Sequence, residues 1–170
     1  YYDRYDLFNL GYDFELLDIE VINNKVIDTT APVLHSFELS DNKIDITEGD
    51  GILYLDTISS DDITGVKNVS AHWISPSEYY SISSYAGGDP SYREGDKWIW
   101  ENSKFNIDEY SEPGIYKLQN IQIQDEANNY IYYDRYDLFN LGYDFELLDI
   151  EVINNKVIDT TAPVLHSFEL

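Results

Sequence analysis

Residues 114–129, GIYKLQNIQIQDEANN, decide the fold class. Ile121 and Ile123 alternate with Gln, the period of a strand with one face buried, and Leu118 is a further apolar position of the run. The run stops at Asp125-Glu126-Ala127-Asn128-Asn129, a hairpin connection built of residues that cap their own backbone. Upstream, Val69, Ala71 and Trp73 alternate in the same way. Working outward, strands are expected over 33–39, 44–47, 52–59, 66–75, 79–85, 97–107, 114–124, 130–134 and 145–153. Turn residues separate them: Ser40-Asp41-Asn42, Glu48-Gly49-Asp50-Gly51, 60–65, Gly87-Gly88-Asp89-Pro90 and Glu112-Pro113-Gly114. Residues 136–143 (YDLFNLGY) fit a single helical turn ending at Gly142. So many short strands and almost no helical period make an all-β chain, a Greek-key β-sandwich, with a barrel as the architectural alternative.

The chain also repeats itself. Residues 1–39 recur letter for letter at 132–170, so the period is 131 residues and the 170-residue chain holds one period plus 39 residues of the next. Identity that complete exceeds what folding demands, and it points to a tandem array of which this chain is a window. A duplicated end introduced by cloning is the plain alternative. The start at Tyr1, with no Met and no signal segment, fits a window too. Asp28-Thr29-Thr30-Ala31-Pro32 reads as a linker, since Pro ends a ladder and the polar residues carry no apolar period; its copy begins at Asp159. The expected organisation is therefore 1–27 as the closing strands of a preceding repeat, 28–32 as linker and 32–158 as a complete repeat. Residues 159–163 are the next linker and 163–170 the first strand of a following repeat.

Composition excludes several classes of function. The chain carries 33 Asp+Glu against 10 Lys+Arg, a formal net charge of −23. Nucleic acid and anionic membrane surfaces would both repel it. With 16 Tyr, 7 Phe and 3 Trp it has the material for a core, unlike a disordered acidic tail. The absence of Cys removes disulfides and thiolate chemistry. No run of 18 apolar residues is present, so membrane insertion through a helix is not expected. There is no His pair at metal spacing, no nucleophile elbow and no phosphate-cradling glycine loop. His72 alternates with core positions on a strand and reads as solvent-facing. The chain is expected not to be an enzyme.

Four short motifs in order carry a family resemblance: Asp28–Pro32, Asp61-Asp62-Ile63-Thr64-Gly65, Gly114-Ile115-Tyr116 and Asp125–Asn129. In that order the chain resembles the Ig-like repeats of large bacterial cell-surface and adhesin proteins, across essentially the whole period. Thr64 stands where Ser is usual and Asn128 where Gly is usual; Asn tolerates the left-handed backbone, so the turn should survive. The resemblance implies an Ig-like sandwich and a secreted or cell-surface address.

In such a sandwich the loops 60–65 and 125–129 lie at the end where the first strand enters, beside the linker. Asp28, Asp61 or Asp62, and Asp125 should therefore converge, with Glu126 and Asn129 as further oxygen donors and Asp159 as the copy of Asp28. Converging carboxylates repel, and a hard cation with six to eight oxygen ligands reverses the sign, so Ca2+ is the expected ion. The competing reading is that these acids only form turns and keep a long polymer soluble. Asp41 with Glu48-Gly49-Asp50-Gly51 is a second, weaker candidate. Tyr79, Tyr80, Tyr85, Tyr92, Trp98 and Trp100 invite a glycan-binding reading, against which Trp98 and Trp100 share one strand face as core residues do.

The expected function is an extended stalk of a secreted or cell-surface adhesin or filament, stiffened by calcium. Its expected partners are neighbouring repeats of the same chain, other copies in a filament, and surface glycans through another region. The alternatives are a filament subunit that exchanges strands between repeats, and a glycan-binding module.

Overall fold

The computed structural model describes residues 1–14, 18, 19, 22, 24, 26–156 and 164. Ten strands dominate it: β1 (Val33–Leu39), β2 (Lys43–Asp45), β3 (Gly51–Ser60), β4 (Val66–Ile74), β5 (Ser81–Gly87), β6 (Tyr92–Glu94), β7 (Lys97–Ile107), β8 (Gly114–Asp125), β9 (Tyr130–Asp134) and β10 (Ile150–Ile153). Three short helices accompany them: α1 (Arg4–Asn9), α2 (Arg135–Asn140) and α3 (Phe145–Leu148).

One sheet has the order β1-β3-β7-β6, all antiparallel. The second has the order β2-β10-β8-β4-β5, with β9 also paired to β8. The long β8 thus carries β10 along its first residues and β9 along its last, both on the edge opposite β4. Among the described residues the one parallel pair is β2 with β10.

The alternation seen in the sequence sets the inward faces. Val69, Ala71 and Trp73 of β4 and Leu118, Ile121 and Ile123 of β8 are at most 2% exposed. They meet Phe37 of β1, Leu53 and Leu55 of β3 and Phe105 of β7 in one apolar cluster. Trp73 is its centre: the ring stacks on Phe105 at 5.5 Å between centroids and leans on Phe37 at 6.2 Å. Burial of that many aliphatic and aromatic side chains between two sheets supplies the main drive for folding.

Element positions follow the sequence closely, with two exceptions. The short β6 was not anticipated, because Tyr92-Arg93-Glu94 has no apolar alternation; β7 supplies its pairing. The expected strand over 145–153 is half helix. Asp144 caps α3 by accepting from the Glu146 amide, Leu148 turns into the core at 4% exposure, and only then does β10 begin. The turn expected over 136–143 is α2, capped by Asp134 and closed reciprocally by Asp137.

In the described residues of 1–27 the regular element is α1, whose sequence RYDLFN is that of α2 and whose capping box, Asp3 with Asp6, is the same. The expected linker 159–163 and strand 163–170 lie outside the described residues, apart from Val164.

The direction of the strands fixes where the chain enters and leaves. β1 starts beside the end of β3 (Val33 opposite Ser60), at the end of the sandwich that also holds Val66 and Asp125. β10 runs the other way along β8 and finishes beyond Gly114, next to Asp45. Val33 and Ile153 therefore lie at opposite ends of the sandwich.

Candidate functional site

The site is assembled around the loop joining β3 to β4. Asp61 organises it: Oδ2 accepts from the backbone amides of Ile63 (3.2 Å), Thr64 (2.9 Å) and Gly65 (2.7 Å). Gly65 closes the loop at φ +90°, and a Cβ there would run into the Trp98 ring. This leaves Asp61 Oδ1 buried with no hydrogen-bond partner.

The segment 28–32 comes to this loop through Asp28, only 7% exposed. Its Oδ2 accepts from the Thr64 hydroxyl (2.6 Å) and amide (3.2 Å), and its Oδ1 accepts from the Thr30 amide (3.0 Å) and hydroxyl (2.9 Å). The Thr64 hydroxyl is the largest influence on the carboxyl, and with the Thr30 donors it holds Asp28 below the ordinary carboxylate range against the opposing effect of burial. The Thr30 hydroxyl also reaches Asp62 Oδ1. One hydroxyl has one proton, so it cannot serve Asp28 and Asp62 fully at once.

One carboxylate oxygen each from Asp28, Asp61 and Asp62 lie within 4.8 Å of one another. Among the described residues this is the one group of acids with metal-binding geometry. No Lys or Arg forms an ion pair with any of the three among the described residues.

Asp125 stands beside this group and is spoken for. It is fully buried, and Asn129 covers both oxygens, the amide donating to Oδ1 (2.8 Å) and the side-chain Nδ2 to Oδ2 (2.7 Å). The same Nδ2 reaches the carbonyl of Asp28 at 3.2 Å. Asp125 and Asn129 thus position the linker backbone. Glu126 ties the two loops by donating its amide to the Gly65 carbonyl (3.0 Å), while its side chain is exposed. Asp159 lies outside the described residues.

Sequence reasoning named the acids but missed Thr30 and Thr64, whose hydroxyls join linker to loop. Thr64 donates its hydroxyl to Asp28, and Asn128 adopts φ +70° as its turn requires. The signal was available: a Thr two residues after Asp28, and another three residues after Asp61.

The other candidates have ordinary partners. Asp41 accepts from the Lys43 amide, as a turn-forming acid does, and Asp50 accepts from the Glu109 amide across the fold. Trp100 is 4% exposed and stacks on Trp98 at 6.0 Å, so this pair belongs to the packing, whereas Tyr79, Tyr80, Tyr85 and Tyr92 are exposed. His72 pairs with Ser83 on the outer face of β4.

No protein-family model matches the chain, and no curated protein matches it. Among solved structures, Cwp6 from Clostridium difficile is similar in part, at 9% identity and a TM-score of 0.48. The similarity covers 79% of this chain and 19% of that one. No helix among the described residues is long and apolar enough to cross a membrane.

Proposed function

We propose that the chain is a structural repeat of an extended secreted or cell-surface stalk, of the adhesin or filament kind, without enzymatic activity. The observation that carries this reading is that the chain enters the sandwich before Val33 and leaves it after Ile153 at opposite ends. Each is tied down. At one end Asp28 is held by Thr64, Thr30 and Asn129. At the other, Asn154 donates to the Glu109 and Ser111 carbonyls, Asn155 to Thr47, and Lys156 pairs with Glu109. In the sequence only Val157 and Ile158 separate Lys156 from Asp159, the copy of Asp28. So short a sequence between two such positions favours a joint that resists bending.

The strand order favours an Ig-like Greek-key sandwich. Sheet β1-β3-β7-β6 follows the A-B-E-D order of that fold, and β4, β8 and the β9/β10 edge follow C, F and G. The recurrence of residues 1–39 favours a tandem array.

The carboxylate group is the proposed calcium site of the joint. Asp28, Asp61 and Asp62 supply hard oxygen ligands, with Asp61 Oδ1 buried and unsatisfied, and water would complete the shell. Asp28 belongs to the linker, so an ion there would lock linker to domain.

Thermal unfolding in millimolar calcium and then in chelator tests the ion: a rise in Tm that Asp61→Asn removes is expected, and superimposable curves would retire it. Small-angle scattering on three consecutive 131-residue periods tests the stalk. A maximum dimension growing linearly with repeat number is expected; a compact particle would refute the extended reading.

A further inference from the structure

β1 is an edge strand with one side open. Among the described residues it pairs with β3 alone, and just beyond it the Ser40 amide donates to the Tyr54 carbonyl of β3. Backbone groups of an antiparallel strand alternate in direction, so with Ser40 turned to β3 the amides of Phe37 and Leu39 turn the other way. They face a groove of about 860 Å³ between β1 and the connection from α2 to α3. The Tyr133 hydroxyl accepts from the Leu34 amide (3.3 Å), so the open edge begins after that residue. Half-buried Leu39 and Tyr143 line the groove, together with Leu141 and Leu147, which are 55% and 64% exposed.

The rim of this groove is acidic. Glu38, Asp41 and Asp144 line it, no Lys or Arg does, and none of the three makes an ion pair among the described residues. Each uses one oxygen locally, on the Ser36 hydroxyl, the Lys43 amide and the Glu146 amide. Glu38 also stands directly opposite Asp56 of β3, both exposed, and like charges so placed destabilise a ladder. A cation on the open side of β1 would relieve that pair. The acids of the rim do not gather on one ion, since among the described residues the group with such geometry is Asp28, Asp61 and Asp62. Charge spread along a strand edge suits several cations carried on one chain.

We propose that this groove binds an extended cationic segment of another protein, which adds to β1 as a new edge strand. The pattern of β1 sets what fits. Phe37 is 1% exposed and turned inward, whereas Glu38 is exposed on the opposite face. An added strand therefore lays aliphatic residues over Leu39, Leu141 and Leu147, and alternates them with Lys or Arg beside Glu38. Main-chain hydrogen bonds supply the attachment, and the acidic rim selects the occupant. A second copy of this chain offers no such segment. Its two closest cations, Arg93 and Lys97, are four residues apart, on either side of the turn between β6 and β7.

The test titrates the 170-residue chain into a fluorescent seven-residue peptide, the length of β1, in which lysine alternates with valine. Salt of about 150 mM screens long-range attraction to the net charge of −23. Saturable binding of one peptide per chain is expected. Methylating the peptide's backbone nitrogens keeps its charge and removes its donors, and should weaken binding about tenfold. Glu38→Lys should weaken binding by a similar factor while the chain stays folded, since it places opposite charges across from each other at Asp56. Asp89→Lys, an equal change of charge in the exposed turn after β5, should leave the affinity unchanged. No binding, equal binding of the methylated peptide, or equal effects of the two charge reversals would each overturn the proposal. Self-association in sedimentation that Glu38→Lys abolishes would overturn it too, by putting a second copy in the groove.

Discussion

Arg135 and Asp149 form a two-pronged ion pair, Nη1 to Oδ1 at 2.7 Å and Nη2 to Oδ2 at 3.2 Å, with the guanidinium over Phe145. The corresponding residues Arg4 and Asp18 make a single contact, Nη2 to Oδ2 at 3.1 Å, with both side chains in water at 69% and 60% exposure. The Arg135–Asp149 pair is more enclosed, at 34% and 17%. The same two residue types in two environments make an internal control. Arg135→Ala should destabilise the chain by about 1–2 kcal/mol, since it leaves Asp149 uncompensated and water only partly reaches the site. Arg4→Ala should change stability by less than about 0.5 kcal/mol. Urea denaturation of the two variants, side by side, measures the difference.

Asp28 sets an acid limit. Its carboxyl is held low chiefly by the Thr64 hydroxyl, so the folded state binds its proton more weakly than the unfolded state does. The stabilisation is fully present above the ordinary Asp value of about 3.9 and is lost as pH falls through the folded-state value. The stability gap between wild type and Asp28→Asn should therefore shrink as pH is lowered from 5 toward 2. A gap that is constant or widens in denaturant titrations across that range would contradict the hydrogen-bond assignment.

Asp62 should reverse sign with calcium. It is exposed and shares the Thr30 hydroxyl with Asp28, so without an ion its charge is mainly repulsive toward Asp28 and Asp61. Asp62→Asn should raise Tm in chelator and reduce the rise that millimolar calcium produces in wild type. Calorimetry of both proteins in both buffers reads the two effects together.

Trp73 should be hard to replace. Trp73→Phe deletes the Nε1 bond to the Leu148 carbonyl, leaving that carbonyl unpartnered under α3, and shortens the stack on Phe105. A loss of about 2–4 kcal/mol is expected, combining the orphaned acceptor with the smaller ring. Hydrogen exchange should show the β10 amides opening first.

Tyr143 gives an alkaline limit. Burial is the main cause that pushes its phenol up to about 12, with Tyr133 and Glu38 adding to it. Its contribution is fully present below the ordinary value of about 10 and is lost as pH rises toward 12. Tyr143→Phe should flatten the decline of stability over that interval, as followed by circular dichroism at fixed urea concentration.

Strand positions were legible because alternation is a local signal: β1, β7 and β9 have the bounds expected for them, and β4 and β8 differ by one residue. The division of 145–153 into α3 and β10 was not, because its apolar residues satisfy a strand period as well as a helical turn. Asp144 settles it, since its carboxylate captures the Glu146 amide before a ladder can form. Asp28, one of Asp61 and Asp62, and Asp125 were expected to converge; the structure groups Asp28 with both Asp61 and Asp62, while Asn129 encloses Asp125. Side-chain amides reveal their partners only when loops distant in sequence meet.

The sequence by itself determined the β class, the 131-residue recurrence, the acidity and the local form of RYDLFN. That hexapeptide makes a capped helix in both copies because its determinants lie within a few residues. Tertiary structure alone decided that residues 150–153 close their own sandwich, that the chain enters and leaves at opposite ends, and that Asp61 keeps one oxygen without a partner. Pairing β10 with both β8 and β2 joins stretches far apart in the chain. The entropy lost in bringing them together is recovered only when the whole core is buried at once.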